Sequence, residues 1–176
     1  MADETTVKDS VLRLANTDIT DMKVESFVYY AQHDLALGSG FGTAISVRGG
    51  PGVQKELDDM GPLQTTEVVV SGAGEMKASH IIHAVGPRFQ EEDLEAKLKT
   101  TVENCLKLAD EKGFKQVAFP PMGSGFYGVP LDVSARITLG TIKAHLAGKT
   151  GIREITVCLH GNREYQPYQK QLASLG

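Results

Sequence analysis

Residues 116–147 constrain the fold more than any other part of the chain. Gln116-Val117-Ala118-Phe119 is a short strand-like run that leads into Pro120 and Pro121. Gly123, Gly125 and Gly128 follow within six residues, with Ser124 between the first two, and Pro130 closes the loop. A helical pattern then covers residues 133–147, with Ala135, Ile137, Leu139, Ile142 and Leu146 mainly inward and Gly148 closing it. A strand feeding a loop and then a long helix implies a right-handed crossover back onto a largely parallel sheet. Glycines allow positive φ and close approach of a ligand. Successive backbone N–H groups in such a turn form a concave anion site, which a following helix strengthens. An ordinary Gly-rich connection fits the loop equally well until Phe126 and Tyr127 are considered. Two large rings at a loop tip are suited to covering a sugar or base.

The rest of the chain supplies further strands and helices. Val11–Ala15, residues 26–31, 67–71, 79–85 and 154–159 read as strands, giving about six with 116–119. Residues 91–112 carry an apolar stripe of Leu94, Leu98, Val102, Cys105, Leu106 and Ala109, ended by Gly113. Residues 53–60 form a short helix and residues 163–175 a terminal one. The expected architecture is a three-layer α/β/α sandwich on a mixed, mostly parallel sheet. Residues 1–9 are expected to be a flexible tail, and residues 10–176 a single domain.

A second Gly-rich stretch, Gly38-Ser39-Gly40-Phe41-Gly42, follows the strand at 26–31 and runs into a possible short helix. Its spacing differs from the dinucleotide fingerprint. If the two strands are near neighbours, both loops open on the edge where open α/β sheets bind ligands. Asp18 follows the first strand. It can cap a short helical turn or accept a hydrogen bond from a ligand amine.

The net charge is −4 and no basic stripe is present, which argues against a nucleic-acid partner. Backbone amides can still hold an anionic small ligand. Cys105 and Cys158 lie in apolar patterns and read as core residues. His80 and His83 are three apart on a strand and face opposite sides, so no metal site is expected. No apolar run approaches a membrane span, and the polar start of the chain points to the cytoplasm.

Four motifs in order resemble those of the macrodomain, the ADP-ribose-binding module. They are Thr17-Asp18-Ile19-Thr20; Val28-Tyr29-Tyr30-Ala31-Gln32 with the Gly-rich run to Ile45; Ile81-Ile82-His83-Ala84-Val85-Gly86-Pro87; and residues 119–130. The resemblance covers about residues 10–172. It implies that Asp18 hydrogen-bonds the adenine amino group and that the Ile19 N–H meets the ring. Leu159 or His160 would take the adenine packing that an aromatic residue supplies in many relatives. Gly38, Ser39, Gly40, Phe41 and Gly42 would wrap the diphosphate from one side. Gly123, Ser124, Gly125 and Phe126 would hold it from the other. Tyr127 would border the distal ribose, with the Gln32 amide within reach of its hydroxyls.

The departures from the family decide the expected activity. Tyr29 and Gln32 stand where hydrolytic relatives have asparagines, and Gly42 stands at their loop Asp position. The expectation is therefore a monomeric ADP-ribose-binding module, without a cofactor and with little or no turnover, for free or protein-attached ADP-ribose. The alternative is an ADP-ribosyl hydrolase or O-acetyl-ADP-ribose deacetylase with a replacement set drawn from His33, Asp34, Tyr127 and Gln32. A third reading is a cleft that no longer takes ADP-ribose and serves another nucleotide, a nucleic acid or a protein partner, with the net charge of −4 against the nucleic acid.

Overall fold

Seven strands build the sheet: β1 Glu4–Val7, β2 Ser10–Asn16, β3 Ser26–Tyr30, β4 Val68–Gly72, β5 His80–Ala84, β6 Gln116–Phe119 and β7 Glu154–Leu159. The structure is a computed structural model, and it describes residues 3–38 and 40–175. The helices are α1 Phe41–Gly49, α2 Pro51–Leu57, α3 Leu94–Glu111, α4 Leu131–Ala147 and α5 Asn162–Leu175. The strand order is β1-β2-β7-β6-β3-β5-β4. The five central strands pair in parallel, and β1 and β4 add antiparallel edges.

The alternation of side chains along the strands divides the core. Val28, Val117, Phe119, Ile155 and Val157 face α3, α4 and α5. Phe27, Tyr29, Ala118 and Cys158 face the opposite layer, where Ile45 of α1 and Val53 and Leu57 of α2 pack. This is the expected three-layer α/β/α sandwich with a mixed sheet.

The segment expected to be a tail contributes β1, the seventh strand. Glu4 pairs with Arg13 and Val7 with Ser10, and Val7 is buried. The tight turn at Lys8-Asp9 carries no glycine. Lys8 itself takes the left-handed conformation at φ +52°, which is uncommon for a lysine. Helix α3 starts at Leu94 rather than residue 91, because Gln90 and Asp93 hold positive φ and interrupt the helical path. Helix α2 starts earlier than expected, since Pro51 fits the first turn, where its missing N–H costs nothing.

Because β2, β7, β6 and β3 are parallel neighbours, their C-terminal ends form one continuous edge. Asp18, His160, the β6–α4 loop and the β3–α1 loop all follow from that edge.

Candidate functional site

Asp18 performs the capping role. Its Oδ1 accepts hydrogen bonds from Thr20 N at 2.9 Å and Thr20 Oγ1 at 2.6 Å, at the head of a single 3-10 turn over Ile19–Asp21. Its Oδ2 lies 3.5 Å from Arg48 Nη2. The Thr20 hydroxyl is the chief cause of a carboxyl held below its usual range; partial burial opposes it, and Arg48 and His160 add to it. Capping and ligand recognition are therefore not exclusive, because they fall to different oxygens of one ionised carboxylate.

The β6–α4 loop is closed on itself. Ser124 N donates to Pro121 O at 3.2 Å, Gly128 N to Gly125 O at 2.9 Å and Val129 N to Gly123 O at 3.0 Å. Gly125 stands at φ +73° with nothing within 4 Å of where a Cβ would be, so a side chain there would enter open space. Gly123 is different: at φ +77° its Cβ would lie 2.6 Å from Val129 Cγ2. The Gly125 and Phe126 N–H groups head a second 3-10 turn, where no preceding turn offers an acceptor. Ser124 lines the cleft, but its N–H is already donated. Beneath the loop, Ser134 Oγ donates to Met122 O at 2.7 Å and lies 2.7 Å from the buried Tyr168 hydroxyl. With its one proton on Met122, Ser134 accepts from Tyr168, so α4 and α5 together pin the loop.

The β3–α1 loop is held by buried Leu35 and Leu37 and by Gln54, whose Oε1 accepts from Leu37 N at 2.9 Å. Gly40 caps α1 at φ +57°, and Gly38 and Gly40 are exposed. Gly42 is buried in the first turn of α1, where a Cβ would lie 2.7 Å from the Tyr29 hydroxyl. Ser39 lies outside the described residues.

Between the two loops lies a cleft of about 250 Å³. Gly40 and Phe41 of the β3–α1 loop and Gly123, Ser124, Gly125 and Phe126 of the β6–α4 loop line it, together with Ile19, Gln32 and Tyr127. Asp18, Gly38 and Gly42 border this group without lining the cleft. Thr20 and Glu164 also line it. Neither was singled out from sequence, although Glu164 lies in the first turn of α5, directly after the β7 edge. Glu164 Oε1 accepts from His160 N at 2.7 Å, which sets the start of α5 beside the cleft.

Leu159, expected to pack against adenine, has no solvent exposure and belongs to the core on the α3–α4–α5 side. As the last residue of β7 it follows the strand's alternation inward. His160 is exposed at the strand end and close enough to Asp18 to favour its charge.

The His33–Asp34 pair is engaged elsewhere. His33 Nδ1 lies 2.8 Å from Leu63 O, and Asp34 Oδ1 accepts from Ala36 N at 3.0 Å. Neither lines the cleft. Burial pushes the Tyr29 phenol up to about 12 and raises Tyr30 further. Tyr127 is raised chiefly by burial, against the opposing effect of Arg88, whose guanidinium lies 5.6 Å from its ring. All three are neutral hydroxyl donors at neutral pH. His83 is pushed down to about 3 by burial, its Nε2 2.8 Å from Ser71 Oγ, whereas His80 packs 4.9 Å from the Phe114 ring. Among the described residues no group of three His, Cys, Asp or Glu is placed to hold a metal, and no helix is long and apolar enough to cross a membrane.

Known proteins resemble this chain in sequence and in fold. Residues 28–138 match the Macro domain family. A macro domain-containing protein of Caldanaerobacter subterraneus is 35% identical over 93% of this chain and 97% of its own. A protein of Pantoea vagans named O-acetyl-ADP-ribose deacetylase 1 is 34% identical over 88% of this chain and 94% of its own. The fold superposes with a TM-score of 0.93 on a mutant Oceanobacillus iheyensis macrodomain with ADPR, at 29% identity over 98% of this chain and 97% of that one.

Proposed function

This chain belongs to the macro domain family, and on that premise we propose that it binds ADP-ribose, free or attached to a protein, as a monomer and without a cofactor. The observation that carries the reading is the cleft between the β3–α1 and β6–α4 loops, with the Asp18 carboxylate beside one end. The N–H groups of Gly125 and Phe126 and the head of α1 suit a diphosphate held from both sides. Asp18 Oδ2 suits the adenine amine, which would share it with Arg48. The Ile19 backbone suits the ring edge, and Thr20 and Glu164 add polar groups on that side. Gln32 and Tyr127 suit the distal ribose.

The protein turns its ligand over little or not at all. Tyr29, Gln32 and Gly42 replace the residues that orient water in hydrolytic relatives, and the Tyr29 phenol stays protonated. The His33–Asp34 pair is bonded to the backbone outside the cleft. The relative named O-acetyl-ADP-ribose deacetylase supports a second reading, hydrolysis or deacetylation, because Gln32 and Tyr127 do line the cleft.

Calorimetry with ADP-ribose tests binding, and absence of heat at high micromolar ligand would sink the proposal. A time course on a mono-ADP-ribosylated protein and on O-acetyl-ADP-ribose between pH 5 and 9 tests turnover. Release faster than the protein-free control would replace the binding module with an enzyme.

A further inference from the structure

The deep end of the cleft is filled by phenol rings. Tyr29 seats its hydroxyl against the Gly42 backbone. Tyr30 donates to the Pro87 carbonyl and packs its ring, tilted by 55°, with its centroid 4.8 Å from that of Tyr127. The remaining volume of about 250 Å³ is below the roughly 300–1,000 Å³ of pockets that bury most of a drug-sized ligand. A ligand larger than that volume extends past the rim.

Two phenyl rings wait at that rim. Phe41, at the head of α1, is 50% exposed, and Phe126, at the tip of the β6–α4 loop, is 79% exposed. Both line the same cleft from its two sides. Phe126 is braced edge-on against Tyr127, with centroids 5.3 Å apart and planes at 86°. Most of the ring is left open to solvent. Rings held in water gain most by stacking on a flat ring, whereas they offer no hydrogen-bond partner to the hydroxyls of a bare ribose.

We propose that the ligand this cleft holds best is an ADP-ribosyl group whose distal ribose carries a flat aromatic base at its anomeric carbon, with the base against Phe126 and Phe41. This inference rests on the ADP-ribose reading above and narrows it to dinucleotide-type N-glycosides. ADP-ribose and diadenosine diphosphate form a matched pair, because they differ only in whether the second ribose carries a hydroxyl or an adenine ring. Calorimetry on the full chain should show diadenosine diphosphate binding roughly tenfold tighter, the gain of one stacked base. In Phe126→Ala, and more fully in the double variant with Phe41→Ala, the ratio of the two constants should fall towards one. Both side chains are exposed, and thermal unfolding checks that the variants remain folded. Equal affinity for the two ligands in the unaltered protein, with heat from both, overturns this inference and leaves the ADP-ribose reading standing. A tenfold ratio that persists in the double variant also overturns it, because the ring would then be read elsewhere. Heat from neither ligand overturns both readings.

Discussion

Gly125 offers the sharpest single perturbation of the diphosphate site. It lines the cleft, and a Cβ there would meet nothing within 4 Å. Gly125→Glu would therefore project a carboxylate into the space assigned to the diphosphate. At about 5 Å and an effective dielectric of about 20, each phosphate charge would repel it by about 3 kcal/mol. Even one such unscreened interaction lowers affinity about a hundredfold. Gly125→Gln adds nearly the same bulk without the charge, so it isolates the electrostatic part. Both substitutions place a side chain at φ +73°, at a backbone cost of about 1–2 kcal/mol, or roughly 2–8 °C in Tm for a domain of this size. The assay is calorimetry with ADP-ribose at low and high salt, alongside thermal unfolding of each variant. The Glu variant should lose at least about a hundredfold and recover part of it at high salt, with the Gln variant between it and the unaltered protein. If the Glu variant bound within threefold of the unaltered protein, the diphosphate would not lie at Gly125. If Glu and Gln were equal at low salt, the charge argument would fail.

Asp18→Ala removes the cap on Thr20 and the proposed adenine acceptor together. It should cost about 1 kcal/mol of stability in a denaturant titration and weaken ADP-ribose binding measured by calorimetry. Ser134→Ala breaks the link from Tyr168 to Met122, and leaving both partners unsatisfied should cost about 1–3 kcal/mol by chemical denaturation. Gly123→Ala sets a Cβ 2.6 Å from Val129 Cγ2 at φ +77°, so it should destabilise more than Gly125→Ala in thermal unfolding. Burial raises the Asp110 carboxyl, but hydrogen bonds from Thr150, His145 and Gly151 outweigh it and hold the group below its ordinary value of 3.8. A depressed folded value stabilises fully above the unfolded value and is lost as pH falls through the folded one. Asp110→Asn should therefore flatten the acid limb of the stability profile below about pH 4 without altering ADP-ribose affinity.

Much of the fold was legible because period and punctuation agree locally. Residues 116–119 and 154–159 match β6 and β7 because each is an apolar run bounded by turn residues. The tail was misread because its turn is made by Lys8 at positive φ, a conformation that nothing in a Lys-Asp pair announces. The start of α3 was misplaced for the same reason, since Gln90 and Asp93 take positive φ without being glycines. In the cleft, the loop residues were readable because glycines and prolines mark backbone shape directly. Glu164 was not, because its place depends on how α5 departs from β7 and on its bond to His160 N. Leu159 was assigned to the wrong side of the backbone, a matter of strand alternation at the last residue of β7. Asp18 carried two readings in the sequence, and the separate environments of its two oxygens accommodate both.

In the proposed binding mode, two loops at the ends of adjacent strands grip the diphosphate of ADP-ribose, with Asp18 at the adenine. A crystal structure with ADP-ribose tests it most directly. Diphosphate oxygens should lie about 2.7–3.2 Å from the N–H groups of Gly125 and Phe126, with the β3–α1 loop on the opposite side and the adenine amine on Asp18 Oδ2. A ligand seated away from these loops, or an empty cleft at saturating ADP-ribose, would contradict it.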